Sequence, residues 1–363
     1  MAHLPAWSRD PRSQVVGIYD SGSEVVEGFD QNLRVGSASE LIDSAEIDII
    51  DVVTWNPSHY EYAAAAVAAG KHVLCEKPVH HDYERTRALS DLAQARGLRT
   101  KVGFTFRFSP AMIRMKQLID QGLVGQPLVF NGFEQNSQFL DPGTPMRLGE
   151  TTTTKDGQLR AASLEGYGAP IIDLGLWFVG DELEEVVGLL TNQVPTRVVP
   201  GRDRPIPVPL DDADCFIGRF GNGAMATVQS SYVTVGNYPG LEARLYGTEG
   251  ALICRLVEED GVCERLWGAS KESVEFKPLP IPDSLFPPGG SLHEPWPTSF
   301  YSNLVSDFLD DIEAPARAGG GTFADAARVQ EVIDAVELSH LRHAWVTLPL
   351  SRPSATAPAG SGA

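Results

Sequence analysis

Residues 69–82 read AGKHVLCEKPVHHD. A short apolar run, Val73-Leu74-Cys75, ends in an acid and a base, Glu76 and Lys77, and Pro78 closes it. The run is too short for a helix and follows a glycine, so it reads as a buried strand. Two charges at the end of a buried strand are costly unless a partner or ligand uses them. Outward from this point the pattern repeats. Residues 58–69, SHYEYAAAAVAA, read as an alanine-rich helix that opens with a capping box at Ser58 and Glu61 and stops at Gly70. Before it, EIDIIDVVT (46–54) and SQVVGIYD (13–20) read as buried parallel strands. After it, HDYERTRALSDLAQA (81–95) is a helix ending at Gly97, and LRTKVGFTF (98–106) a further strand. Strand and helix in alternation predict a doubly wound, Rossmann-like parallel sheet over residues 1–106.

The texture changes near Gln126. PLVFNGFEQN, EEVVGLL, DCFIGRF, MATVQSSYVTV, LEARLYG and ALICRLVEE are strand-like and separated by turn signals such as Gly221-Asn222-Gly223. They predict an open antiparallel sheet within residues 107–350. Helices at PIIDLGLWFV, TSFYSNLVSDFLDDI and ADAARVQEVIDAVELSHLRH are expected to pack around it. The fold class is thus α/β plus α+β. The tail 351–363, SRPSATAPAGSGA, is expected to be disordered.

At 363 residues the chain has room for about two domains. A net charge of −19 repels phosphate backbones and argues against a nucleic-acid partner. No window has the apolar length of a membrane span, and the N-terminus lacks a secretory pattern, so the cytoplasm is the expected compartment. Cys75, Cys215, Cys254 and Cys263 are scattered, with neither disulfide-framework nor zinc spacing, and no metal is expected. His80 and His81 read as a solvated pair.

The order VVGIYD, VVTWNPSH, AGKHVLCEKPV, VGFTFRFSP, MRL, GYGAPIIDLGLW, WVTLPL resembles the glucose-fructose oxidoreductase / inositol dehydrogenase / MocA family over nearly the whole chain. That resemblance implies a nicotinamide-binding domain joined to an open sheet domain. It implies hydride transfer to or from a carbinol carbon of a sugar, polyol or glycoside, with Lys77 as the main catalytic group. The residue types agree. Ligands of a doubly wound sheet bind outside the carboxyl ends of its strands, where Glu76 and Lys77 stand. An ammonium there can stabilise a developing alkoxide. Glu76 either borders the nicotinamide or pairs with Lys77. Asp20, followed by Ser21, closes a strand where a Rossmann acid holds the adenosine ribose, and no arginine follows it, which favours NAD over NADP. By the resemblance, Thr54, Asn56 and His59 of TWNPSH line the dinucleotide. By itself His59 reads as a helix-start residue.

Two departures qualify this. No G-x-G-x-x-G occurs in the chain. Residues 2–12, AHLPAWSRDPR, instead resemble the second half of the helix that follows such a loop, so an upstream strand and glycine turn are expected. Family dehydrogenases also carry D-x-G-x-H, with the histidine or a tyrosine acting on the substrate hydroxyl. Here the matching segment is Gly166-Tyr167-Gly168-Ala169-Pro170. Tyr167, Glu165 and Asp173, the last matching a second acid of the pattern, are the remaining candidates. Arg147 matches a Trp-Arg position near the site. Two further readings stand beside the dehydrogenase: NAD-assisted glycoside cleavage by transient oxidation and elimination, and a non-catalytic sugar- or partner-binding member. A homo-oligomer is expected, since the open face of the second sheet commonly forms the subunit contact in the family.

Overall fold

The structure is a computed structural model that describes residues 2–22, 30–146, 158–317 and 319–350. The tail and Arg147 lie outside the described residues. The first half contains α1 (His3–Arg9), α2 (Ala38–Ile42), β1 (Ile49–Val52), α3 (His59–Ala68), β2 (His72–Cys75), α4 (Tyr83–Ala95), β3 (Thr100–Val102) and α5 (Pro110–Asp120). Among the described residues β1, β2 and β3 form a parallel sheet in that order, with Ile50 beside Val73 and Val73 beside Thr100. Its strands are short apolar runs covered by helices, as a doubly wound sheet requires.

Residues 13–20 do not form the expected strand. Ile18 makes a single bridge to the 33–35 segment, through Ile18 N to Leu33 O at 2.7 Å and Val35 N to Ile18 O at 3.0 Å. An apolar run becomes a strand only where a neighbour pairs its backbone, and no described ladder does so here. The capping box at Ser58 is also absent. A 3₁₀ turn, Asn56–Ser58, with Pro57 inside it, runs straight into α3, so the Ser58 hydroxyl donates to Thr54 Oγ1 and Trp55 O instead. The α4 helix is capped as its sequence suggests, Asp82 Oδ1 accepting from the amides of Glu84 and Arg85.

The second half contains β4 (Pro127–Gln135), α6 (Ala169–Val179), β5 (Leu183–Thr191), β6 (Thr196–Arg197), β7 (Ile206–Pro207), β8 (Ala213–Phe220) and β9 (Met225–Ser231). β10 (Pro239–Gly247), β11 (Gly250–Glu259), β12 (Val262–Ser270), β13 (Ser273–Pro278), α7 (Trp296–Glu313), α8 (Phe323–Arg342) and β14 (Val346–Thr347) follow. The large sheet has the order β13-β12-β11-β10-β4-β9-β8-β5-β14. It is mixed rather than wholly antiparallel, because β4 pairs in parallel with β9. A parallel pair needs a long crossover, which α6 and the strands from β5 to β8 supply.

α6 lies tightly on β4. A Cβ at Gly132 would sit 2.0 Å from Ile171 Cγ2, so a side chain there would push the helix away. α8 packs on β5, α4 and β3, and α7 on α1 and the turn Thr105–Phe108. α8 therefore touches both sheets. All four cysteines are free thiols. No helix among the described residues is long and apolar enough to cross a membrane.

Candidate active site

β1 and β2 end level, Val52 beside Cys75, and the chain then turns through a cis Lys77–Pro78 peptide. The half-buried Lys77 side chain reaches the second domain, where its Nζ donates to the carbonyl of Gly166. Gly166 belongs to a π-helical turn, Leu164–Gly168, set immediately before α6. Such turns recur at functional sites. Tyr167, the next residue, donates its hydroxyl to Gln138 Oε1 and also lies 3.3 Å from Asn136 Oδ1. Burial pushes its pKa up to about 12, so it stays a hydroxyl donor.

Facing both is a residue that the sequence pattern did not single out. Glu134 on β4 is 3% exposed, and its Oε2 is buried without a hydrogen-bond partner. Burial pushes its carboxyl well above the usual range, against the opposing charge of Lys77, and no direct ion pair joins the two. The signal was present in FNGFEQN: alternation along β4 puts Glu134 on the same buried face as Phe130 and Gly132.

The other acids lie elsewhere. Asp173 is held by Arg107 through two hydrogen bonds. Glu165 pairs with His81 Nδ1 at 2.7 and 2.8 Å. His81 is therefore no solvated histidine: burial lowers its pKa, but Glu165, Asp334 and Glu337 outweigh that and raise it. His80 stands edge-on to Tyr60 at 5.0 Å and to the His81 ring at 6.2 Å.

Glu76 does not pair with the Lys77 ammonium. Its carboxylate accepts from Tyr301 Oη at 3.0 Å and the Lys77 amide at 3.1 Å, and pairs with His3 Nε2 at 3.0 Å. Burial raises its pKa, and the His3 contact, Lys77 and Tyr301 more than offset that. His3 Nδ1 also meets Asp51 at 2.9 Å, as does Trp7 Nε1 at 2.6 Å, docking α1 on the parallel sheet. His59 is 2% exposed, with Nδ1 on Pro78 O at 2.8 Å and Nε2 on Thr54 O at 2.7 Å. It straps the loop after β1 to the turn that carries Lys77.

These features place an ammonium, a buried carboxyl and a tyrosine hydroxyl outside the carboxyl ends of a parallel sheet. Residues 1–104 match the family described as "Oxidoreductase family, NAD-binding Rossmann fold", and residues 112–253 match the GFO/IDH/MocA C-terminal domain. The chain belongs to the GFO/IDH/MocA oxidoreductase family. Levoglucosan dehydrogenase of Pseudarthrobacter phenanthrenivorans is 26% identical over 85% of this chain and 82% of its own length. Glucose-6-phosphate 3-dehydrogenase of Bacillus subtilis is 26% identical over 92% and 91%. The fold matches an oxidoreductase domain protein from Kribbella flavida with TM-score 0.83 at 26% identity, covering 96% of both chains. It also matches levoglucosan dehydrogenase in complex with NADH and levoglucosan, with TM-score 0.81 at 24% identity, again over 96% of both chains.

As a GFO/IDH/MocA oxidoreductase the chain uses NAD. Its crevice residues fit the two ends of that cofactor. Asn56 Oδ1 is buried with no partner at the end of β1, beside the exposed Trp55 and Thr54. Asp20 and Ser21 are exposed, and Asp20 Oδ1 accepts from Gly22 N at 2.7 Å. An arginine does stand beside this turn, although none follows Asp20 directly in the chain: Arg34 Nη2 donates to Gly22 O. The pyrophosphate side has no glycine loop in this chain. Among the described residues no cluster has the makings of a metal site. A groove of about 700 Å³, lined by Phe133, Gln135, Glu242, Arg244, Trp267 and Phe276, lies on the opposite face of β4 from Glu134.

Proposed function

We propose that the chain oxidises or reduces a secondary carbinol carbon of a sugar, polyol or glycoside, in the cytoplasm, as a homo-oligomer joined through the open sheet face. The observation that carries the chemistry is Lys77, whose ammonium is held at Gly166 O where the strand ends meet the second domain. Relatives named for levoglucosan, inositol and glucose 6-phosphate support a polyhydroxylated substrate. Bound NAD supplies the hydride acceptor or donor. The residues of this chain do the rest. Lys77 stabilises negative charge developing on the substrate oxygen. Tyr167, kept protonated by burial and oriented by its donation to Gln138 Oε1, accepts with its oxygen from a neighbouring hydroxyl of the substrate. The His59 strap holds the Lys77 turn against the loop after β1. Asp20 and Asn56 bind the dinucleotide.

The test is NADH formation across a panel of sugars, polyols and glycosides with wild type and Lys77→Met. A good substrate for wild type whose turnover falls by about 100-fold or more in the variant supports the reading. Equal turnover in the two proteins removes it. Aglycone release from a glycoside without net NADH would instead mark cleavage by transient oxidation.

A further inference from the structure

We infer that Glu134 is a catalytic residue of this site, exchanging the hydroxyl proton of the substrate in a chain whose π-helical turn and α6 carry no histidine. The inference rests on the dehydrogenase reading above, and three observations carry it. Glu134 is 3% exposed, yet its Oε2 has no partner. An unpaired buried carboxyl destabilises a fold, so its presence beside a functional lysine calls for a use. β4, which carries it, packs against the π-helical turn that bears Tyr167 and accepts from the Lys77 ammonium, and the Lys77 charge acts on its carboxyl. Its flanking positions in register are Ser230 on β9 and Leu241 on β10. Ser230 is already committed, donating to the Asp214 carboxylate, so Glu134 is not tied down across the sheet.

The step balances. In oxidation the substrate C–H electron pair leaves as hydride to the nicotinamide, the O–H bond breaks, and its proton passes to a Glu134 oxygen as the C=O bond forms. Lys77 stays an ammonium and carries the charge on oxygen between the two events. In reduction Glu134 returns the proton. Burial favours the protonated carboxyl, which suits it as the acid of the reducing direction, and oxidation should accelerate as rising pH frees the carboxylate. The titratable groups facing it are the Lys77 ammonium and the Tyr167 hydroxyl, with the Asp211–Asp214 acid pair behind Ser230.

The experiment compares wild type, Glu134→Gln, Glu134→Asp and Lys77→Met as full chains. Glu134→Gln should melt no lower than wild type, since it replaces an unpartnered buried carboxyl with an amide of the same shape, and should lose about 100-fold or more in turnover together with the alkaline rise of the oxidation profile. Glu134→Asp keeps the acid but shortens its reach, and should retain the rise at lower rate. Independently of turnover, infrared difference spectra should show a carboxyl band in wild type that Glu134→Gln lacks. That band should shift when levoglucosan, inositol or another polyol of the panel binds. Turnover within about threefold of wild type in Glu134→Gln, or no band change with any polyol, overturns the inference. Loss in Lys77→Met with full activity in Glu134→Gln removes the Glu134 role alone. Full activity in both removes the Lys77 reading as well.

Discussion

Arg107 and Asp173 face each other through two hydrogen bonds, Nε to Oδ2 at 2.8 Å and Nη2 to Oδ1 at 2.5 Å, with both side chains buried. The pair ties the turn after β3 to α6, and Trp177 stacks under the guanidinium at 4.8 Å. Burial raises the Asp173 carboxyl against the pull of Arg107. Removing one member leaves an uncompensated buried charge. Asp173→Ala should therefore lower unfolding free energy by about 3–5 kcal/mol in urea titrations. A catalytic acid would give the opposite pattern, unchanged melting with lost turnover.

Lys77→Arg should not rescue Lys77→Met. The ammonium is a compact donor already set on one carbonyl, and a planar guanidinium cannot present the same single point of charge. Both variants should bind NAD as wild type does, because the proposed adenosine recognition rests on Asp20. Calorimetry for NAD and steady-state turnover check the two halves separately.

Asp20→Ala should weaken NAD and narrow its preference over NADP by about tenfold or more, the value of a hydrogen bond to a charged group. Arg34 sharpens this expectation, since its guanidinium stands at the same turn, bound to backbone carbonyls. Affinities for both dinucleotides decide it.

Two buried groups cost stability as pH rises, in two separate windows. Burial lowers the His3 pKa, but Asp51 and Glu76 outweigh it and raise it from 6.5 to about 10. The stability it contributes is complete below about 6.5 and is lost as pH rises through about 10. His3→Gln should flatten that window. Glu264 is raised by burial from 4.5 to about 7, against hydrogen bonds from Ala111 N and Ser109 Oγ at the start of α5. The folded state binds the extra proton, so stability falls between about 4.5 and 7, and Glu264→Gln should remove that fall. Unfolding free energies at a series of pH values check both.

Much of this arrangement was legible in residues. Lys77 stood out because an acid–base pair at the end of a buried strand is costly to keep without a ligand or partner. Tyr167 is a candidate by its place in a family pattern, and its neighbour Gly166 carries the carbonyl that accepts from Lys77. Glu134 was missed although period-two alternation marks it as an inward acid, because its neighbours Gln135 and Asn136 blur the polar boundary. Residues 13–20 show the converse failure. Apolar pattern predicts a tendency to extend, whereas a strand exists only where a neighbour pairs its backbone. The roles of His59 and Asp173 depend on partners distant in sequence, Pro78 and Arg107, which no local pattern contains.

The place of β4 in the large sheet has a consequence for how the protein is made. Its only ladder partners among the described residues are β9 and β10, both encoded far downstream. During synthesis the strand bearing Glu134 leaves the ribosome early and stays unpaired until residues 225–247 have followed it. Throughout that interval both backbone edges of β4 stay open, the condition that invites capture by chaperones or association between nascent chains. Substitutions that make β4 more apolar should lower soluble yield during expression even where they stabilise the finished fold.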